Sequence, residues 1–309
     1  MDLDKVQVLL STYNGEKYVR EQLDSILEQQ VEVDLLIRDD GSRDATPEIL
    51  REYEKTYANI HVIYGENIGV IQSFFALMNA ADRKCSYIAL ADQDDVWLPE
   101  KLSRAVTLLK EQERKEAKGS SVPVAYCSAR QLVDAELNEL PSGISYDMVY
   151  PVFENALVEN MCTGCTCVMN SALLQLLQGK IPQFTVMHDF WIYLVVTCFG
   201  TVIYDEESYI LYRQHGQNQL GSASTLFGNY VRRIKNFKKQ RWQLSRQAEA
   251  LLLCYGDSMP VKYRALAQLF VAAKKDRKAR KTLLAKRTVF RQRKSDYQIM
   301  KILLRLGLL

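Results

Sequence analysis

Among the 309 residues of the chain, two acidic clusters have the types and spacing to do chemistry. Asp92-x-Asp94-Asp95 follows an apolar run directly. Carboxylates spaced one apart at a strand end project hard oxygen ligands into a cleft. That suits Mg²⁺ or Mn²⁺, ions commonly held by one or two carboxylates plus substrate phosphates. A solvated acidic turn leading into the helix after Pro99 is the other reading. Asp39-Asp40-Gly41-Ser42-x-Asp44 closes a second apolar run, where an acid can accept hydrogen bonds from a base N–H or a ribose hydroxyl. Ser11-Thr12-Tyr13-Asn14-Gly15 closes a third and adds small polar groups and an aromatic face for a nucleoside. Each is ordinary alone; three at strand ends in this order point to one ligand site. Cys162, Cys165 and Cys167 form C-x₂-C-x-C. A closed zinc site needs four ligands and no second pair lies at suitable spacing, so these read as small, packed residues.

The elements that must position these groups alternate. Residues 6–10, 34–37, 60–64 and 87–91 read as buried strands. Between them lie helical patterns: Val19, Leu23, Ile26 and Leu27 up to residue 30, a helix opened by Thr46 as N-cap with Pro47 at its first position, and a third over 71–81. Strand–helix alternation with short connections implies an α/β, doubly wound, mostly parallel sheet covered on both faces. Ligands gather at the carboxyl ends of such strands, where the acidic clusters sit. A polar helix over 100–118 leads to Gly119-Ser120-Ser121, a domain boundary by composition. Further strands are predicted at 123–128, 165–169, 201–204 and 209–213, with a turn-rich, substrate-facing stretch over 134–151.

Composition excludes several classes. Hydrophobic residues at 48% and charged residues at 25% are globular averages, which rules out disorder. No apolar run approaches the ~18 residues of a membrane-spanning helix. The start, MDLDKVQVLL, places acids before its apolar stretch and does not read as a signal peptide. The expectation is a cytoplasmic chain with its seven cysteines reduced. The net charge of +3 hides a division: residues 229–309 carry 22 Lys and Arg against four acids, or +18, and the rest −15. The last quarter therefore faces something anionic.

The segments LLSTYNGEKYVREQLDSIL, IRDDGSRDATPEIL, Asn67-Ile68-Gly69 and LADQDDVWLPEKL resemble the family 2 glycosyltransferases of the GT-A fold. MCTGCTCVMN, MHDFW and YRQHGQNQLG resemble, within it, bacterial rhamnosyltransferases that build surface polysaccharides. The resemblance is close over the first hundred residues and looser to about residue 221. It implies transfer of a sugar, with inversion, from a nucleotide diphosphate donor. Thr12, Tyr13, Asn14, Asp39, Asp40 and Asn67 would bind the nucleoside, and Asp92 and Asp94 would match the metal-binding DxD motif. Asp95 would support the turn or the donor sugar. Asp189 would be the general base; an N-terminal acid on a helix dipole is what its position alone suggests. His188, Thr163, Gly164 and Trp191 would line the sugar sites, Arg213 would contact the pyrophosphate, and His215 would meet the metal or the diphosphate.

The implied organisation is a nucleotide-sugar half over 1–118, an acceptor half over 119–225 and a basic helical region over 226–309. In the last, Leu266, Leu269, Phe270 and Ala273 recur at helical spacing amid dense Lys and Arg. Basic amphipathic helices bind anionic membranes, which would suit a lipid-linked glycan acceptor at the inner membrane face. A hairpin packed on the catalytic domain or a homo-oligomer contact are the alternatives. Nucleic acid lacks a recognised module. The favoured donor is dTDP-L-rhamnose, with a UDP-hexose or UDP-N-acetylhexosamine the alternative. A sugar nucleotidyltransferase would call for a glycine-rich basic loop where STYNGEKY stands, and a non-catalytic binder would lack Asp94 or Asp189.

Overall fold

The computed structural model describes residues 5–116, 122–141, 148–214, 242–285 and 288–309. Its first half is the alternation predicted: β1 (Lys5–Thr12), α1 (Val19–Leu27), β2 (Glu32–Asp39), α2 (Thr46–Thr56), β3 (Ile60–Tyr64), α3 (Val70–Ala80) and β4 (Tyr87–Ala91). Next come β5 (Val96–Trp97), α4 (Lys101–Glu116), β6 (Val124–Val133), α5 (Phe153–Ala156), β7 (Val168–Asn170), α6 (Ser171–Leu177), α7 (His188–Phe199) and β8 (Thr201–Arg213). Four helices follow: α8 (Gln243–Tyr255), α9 (Val261–Ala272), α10 (Arg277–Ala285) and α11 (Lys294–Arg305).

The strands form one eight-stranded sheet in the order β3-β2-β1-β4-β7-β6-β8-β5. The first four are parallel, β7 runs antiparallel to both its neighbours, β6 and β8 are parallel, and β5 is antiparallel to β8. Side chains alternate between faces along each strand. Val6, Val8 and Leu10 therefore face one core with α1, α2 and α4. Leu9 joins Leu36, Ile88 and Leu90 in the other, with α3, α6, α7 and the C-terminal helices. Register sets the site: Thr12 lies opposite Asp39, Asp39 opposite Tyr64, and Leu10 opposite Ala91. The three acidic or polar strand ends thus emerge side by side.

Several elements depart from the sequence expectation. Thr46 does not cap α2; Ala45 precedes the helix and no side chain caps it. The Thr46 hydroxyl donates instead to Asp44 (2.6 Å) and accepts from the Gly15 N–H (2.8 Å), tying α2 to the loop after β1. The strand expected over 165–169 is half 3₁₀ turn, Gly164–Thr166, because the Thr166 and Cys167 N–H groups return to the carbonyls of Thr163 and Gly164. The two strands expected around 201–213 are one, β8, with register shifts against β6 near Ser128 and Gln131. Asp205 and its acidic neighbours mask its continuity in the sequence, and Asp205 accepts from Arg104 at 2.9 Å. The two-residue β5 has no sequence signal of its own. The boundary at 119–121 lies outside the described residues.

Gly200 turns the chain from α7 into β8, where the Thr201 N–H donates to the Pro123 carbonyl at 3.0 Å. A Cβ at Gly200 would stand 1.8 Å from that same carbonyl oxygen. Gly200→Ala is therefore expected to lose about 1–3 kcal/mol of stability, the range for forced overpacking. Denaturant unfolding of the two proteins measures it.

Candidate active site

One cleft of about 650 Å³ opens at the carboxyl ends of β1, β2 and β4. Thr12, Tyr13, Asn14, Asp40 and Asn67 line it together with Asp92 and Asp94 and with Thr163, Gly164, His188 and Asp189. Asp94 and Asp189 therefore open into the same space.

The nucleoside-side loops are cross-braced. The Asn14 N–H donates to the Ser42 hydroxyl (2.9 Å) while the Asn14 side-chain oxygen accepts from the Arg43 N–H (2.8 Å). Asn14 adopts φ +49°, a left-handed conformation that asparagine tolerates better than most residues. Asp39 is buried, accepting from the Thr12 hydroxyl (3.1 Å) and from the Ser42 N–H (3.0 Å) and hydroxyl (2.5 Å). Asp40 pairs with the buried Arg38 and accepts from the N–H groups of Ile68 (2.9 Å) and Gly69 (2.8 Å). That holds the loop bearing Asn67 at the cleft rim. Gln93, between the two aspartates of the DxD segment, accepts from the Tyr13 N–H (2.7 Å) and donates to the Tyr13 carbonyl (3.2 Å), joining the loops after β1 and β4.

Asp189 stands in the first turn of α7. Its carboxylate accepts from the Gly164 N–H (3.0 Å) and the Phe190 N–H (2.6 Å). Burial pushes its pKa up to about 6, held from going higher by those two N–H groups, by Asn160 and by the nearby Arg130. Asp92 is raised to about 7 by burial and by repulsion from Asp94 and Asp189, with Lys101 opposing. His188 stacks on Phe74 with ring centroids 3.9 Å apart, and burial lowers its pKa to about 3, so it is neutral. Neither of its ring nitrogens has a hydrogen-bond partner among the described residues. A Cβ at Gly164 would stand 2.9 Å from the His188 Nε2, so glycine there leaves room for the ring.

Four expected site residues lie elsewhere. Trp191 is fully buried with its ring 6.2 Å from Tyr255, on the core side of α7. Arg213 is buried and its guanidinium donates to the carbonyls of Asp94 and Ala135 and to Glu21, which commits it to the scaffold rather than to the cleft wall. Asp95 is wholly buried, accepting from the Arg213 N–H at 3.2 Å, and supports the turn rather than lining the cleft. Asp39 sits beneath Thr12 and also does not line it. His215 lies outside the described residues.

Three further residues receive no role from the sequence, although Lys101 and Tyr212 stand inside the segments that carry the resemblance. Lys101 is wholly buried, donates to the Cys165 carbonyl (2.8 Å) and lies 3.5 Å from the centre of the Trp97 ring. Burial lowers its pKa to about 8 against the attraction of Cys165, Asp95 and Asp92. Arg130, exposed in mid-strand on β6, donates to Thr163 (2.5 Å) and lies over the ring of Tyr212, itself a cleft residue. Only a strand-end register linking β6 to β8 could have found these two.

The donor chemistry selects between two cation sites. Asp92, Asp95 and Cys165 bring ligand atoms within 4.8 Å of one another, but Asp95 and Cys165 are buried and burial pushes the Cys165 thiol well above its usual range. A thiolate is a soft ligand that suits zinc better than Mg²⁺ or Mn²⁺. The half-buried, cleft-facing Asp92 and Asp94 offer oxygen alone, which fits Mg²⁺ or Mn²⁺. All seven cysteines are free.

A parallel half-sheet with nucleoside-sized loops and paired carboxylates at its strand ends is the layout of a GT-A glycosyltransferase. Residues 7–131 match the family model described as Glycosyl transferase family 2, and form a family 2 glycosyltransferase domain. Among individual proteins, the chain is 29% identical over 257 residues to the dTDP-rhamnosyl transferase RfbG of Shigella flexneri, covering 78% of this chain and 84% of RfbG. It is 33% identical over 108 residues to the putative teichuronic acid biosynthesis glycosyltransferase TuaG of Bacillus subtilis, covering 34% of this chain and 42% of TuaG. In structure it resembles S. aureus TarS 1–349 in complex with UDP-GlcNAc, with a TM-score of 0.58 and 16% identity over 87% of this chain and 70% of that one, a likeness of fold.

The raised Asp189 pKa has a consequence for stability. The folded state holds that proton more tightly than the unfolded chain does, so ionisation costs stability, and the cost is fully present above about pH 6. Asp189→Asn removes it. The variant is expected to melt at or above the wild-type temperature at pH 8, with the advantage vanishing below pH 4, as thermal melts across pH will show.

Proposed function

We propose that the protein is an inverting, metal-dependent glycosyltransferase. In this reading it moves L-rhamnose from dTDP-L-rhamnose onto a lipid-linked glycan in cell-surface polysaccharide synthesis. The observation that carries the reading is the shared cleft, lined by the loops after β1 and β2, by Asp92 and Asp94, and by Asp189. Similarity to the dTDP-rhamnosyl transferase RfbG across most of both chains supports the sugar.

Asp39, Asp40, Thr12, Tyr13, Asn14 and Asn67 hold the base and ribose in this scheme, with Asp39 acting through Thr12 and Ser42. Asp92 and Asp94 hold the cation, which when bound supplies Lewis-acid neutralisation of the departing diphosphate. Thr163, Gly164 and His188 wall the sugar sites, and Arg130 supplies the cation on that side in place of the buried Arg213. Asp189 takes the proton of the acceptor hydroxyl as that oxygen bonds to the anomeric carbon and the carbon–diphosphate bond breaks on the opposite face. A carboxylate with a pKa near 6 is ionised at neutral pH yet basic enough for the task. The basic C-terminal region brings the enzyme to the anionic inner membrane face where a lipid-linked acceptor resides.

A nucleotide-sugar panel with Mg²⁺ or Mn²⁺, following release of the nucleoside diphosphate, tests the donor. Turnover of dTDP-L-rhamnose above UDP-glucose and UDP-N-acetylglucosamine is expected; preference for a UDP sugar would replace the rhamnose assignment while leaving the class. Asp94→Asn is expected to abolish metal-dependent turnover, and Asp189→Asn to lower kcat about 10²–10⁴-fold. Undiminished turnover by Asp189→Asn eliminates it as the base.

The pH profile is a separate check. The base works deprotonated, so kcat at saturating metal should be maximal above, and fall about tenfold per unit below, an apparent pKa of about 6. A flat profile between pH 5 and 8 would contradict the role of Asp189.

A further inference from the structure

The C-terminal helices dock on the catalytic domain through one side. Tyr255 packs on Trp191 and Phe199, the Gln247 side chain accepts from the Val186 N–H at 2.8 Å, and Asn155 donates to the Phe290 carbonyl at 3.1 Å. In α11 the docked face is Met300 and Leu304, each 2% exposed. The same helix carries a second apolar face. Ile299, Ile302 and Leu306 are 47%, 53% and 63% exposed, and at 100° per residue they fall within an arc of roughly 60°. Arg305 and Lys294, both exposed, lie about 60° and about 80° round the helix from Ile302 on one flank of that stripe. No helix among the described residues is long and apolar enough to cross a membrane.

We propose that this outer face of α11 is the surface by which the protein lies on an anionic lipid membrane, Ile299, Ile302 and Leu306 entering the acyl boundary and Lys294 and Arg305 meeting the headgroups. The proposal rests on the membrane reading of the basic region and names its contact residues. A stripe of aliphatic side chains with cations beside it is the arrangement of an interfacial helix. Charge agrees: residues 274–309 include only two acids, Asp276 and Asp296, and neighbouring α10 exposes Lys278 and Lys281. A second protein surface fits less well, because one helix-wide stripe falls short of the ~800 Å² per partner of a stable interface.

The test uses the full chain and flotation with phosphatidylcholine vesicles, with and without half phosphatidylglycerol. Wild type is expected to float with the anionic vesicles. Ile302→Gln/Leu306→Gln should lower the partition coefficient at least about tenfold. Neutralising Lys294 and Arg305 to Gln should lower it about fivefold per charge. These positions are exposed, so melting temperature and turnover of the nucleotide sugar should not change. Ile302→Trp reports depth directly: its fluorescence should be quenched by brominated acyl chains. Binding that survives Ile302→Gln/Leu306→Gln, with Ile302→Trp unquenched, overturns this face and leaves the wider membrane reading standing. Wild type that ignores anionic vesicles removes both, while the donor assay stands apart. If sedimentation shows that the double variant dissolves a dimer while vesicle binding persists, the stripe is a contact between copies and the proposal is wrong.

Discussion

Carboxylate repulsion in a confined, partly dry space is the constraint around which the structure is organised. Asp92, Asp94 and Asp189 share one cleft, and Asp95 lies buried just behind. Burial pushes Asp92, Asp95 and Asp189 toward the protonated form, and the neighbouring carboxylates add to that push at Asp92 and Asp95. The fold opposes it from beneath. Lys101 enters the interior between Trp97 and the Cys165 carbonyl, and Arg213 threads from β8 to the carbonyl of Asp94. Neither cation reaches the cleft, so the charge they compensate stays available to a ligand. Removing one partner of such a buried arrangement is generally costlier than the arrangement is stabilising.

The same constraint explains the shape of the second half-sheet. Arg213 ends β8, and β8 is brought beside the acidic turn through the two-residue β5. Lys101 opens α4 two residues after Pro99 and is fixed by the 3₁₀ turn at Gly164–Thr166, which supplies its carbonyl acceptor. That turn also presents the Gly164 N–H to Asp189. Elements that look like irregularities in the sheet therefore deliver the countercharges and the hydrogen bond that orient the acids.

The first half of the sheet was legible in the sequence because local pattern and tertiary role coincide there. β4, buried along its whole length, and the edge strand β3, where only Ile60 is buried, both have the limits the periodicity predicts, and β2 and β4 are the strands that carry acids to the cleft. The motif acids follow those strands directly, so their placement at the sheet edge needed no tertiary information. The second half of the sheet was less legible. A motif names Trp191 and Arg213 by position, but which way each side chain points depends on helix and strand register, and both turn inward. Neither Lys101 nor Arg130 has a local signal: Lys101 takes its place from the distant 3₁₀ turn at Gly164–Thr166, and Arg130 from the pairing of β6 with β8, more than seventy residues apart at Gln131 and Leu211.

The C-terminal region shows a different limit. Periodicity revealed Leu266, Leu269 and Phe270 as one face of a helix, and net charge revealed that the region is basic, but neither divides an apolar residue that packs from one that does not. In α11, Met300 and Leu304 are indistinguishable by type from Ile302 and Leu306, yet the first pair closes the core and the second faces outward. The docked face makes the region part of the catalytic body, which answers the hairpin alternative. Docking uses part of the charge, since Lys262 pairs with Glu154, Arg291 donates to the Val158 carbonyl and Arg246 lies over Phe184, whereas Lys294 and Arg305 face outward. Cations that fold stability does not require, beside aliphatic side chains that water disfavours, are what an oriented encounter with an anionic surface needs.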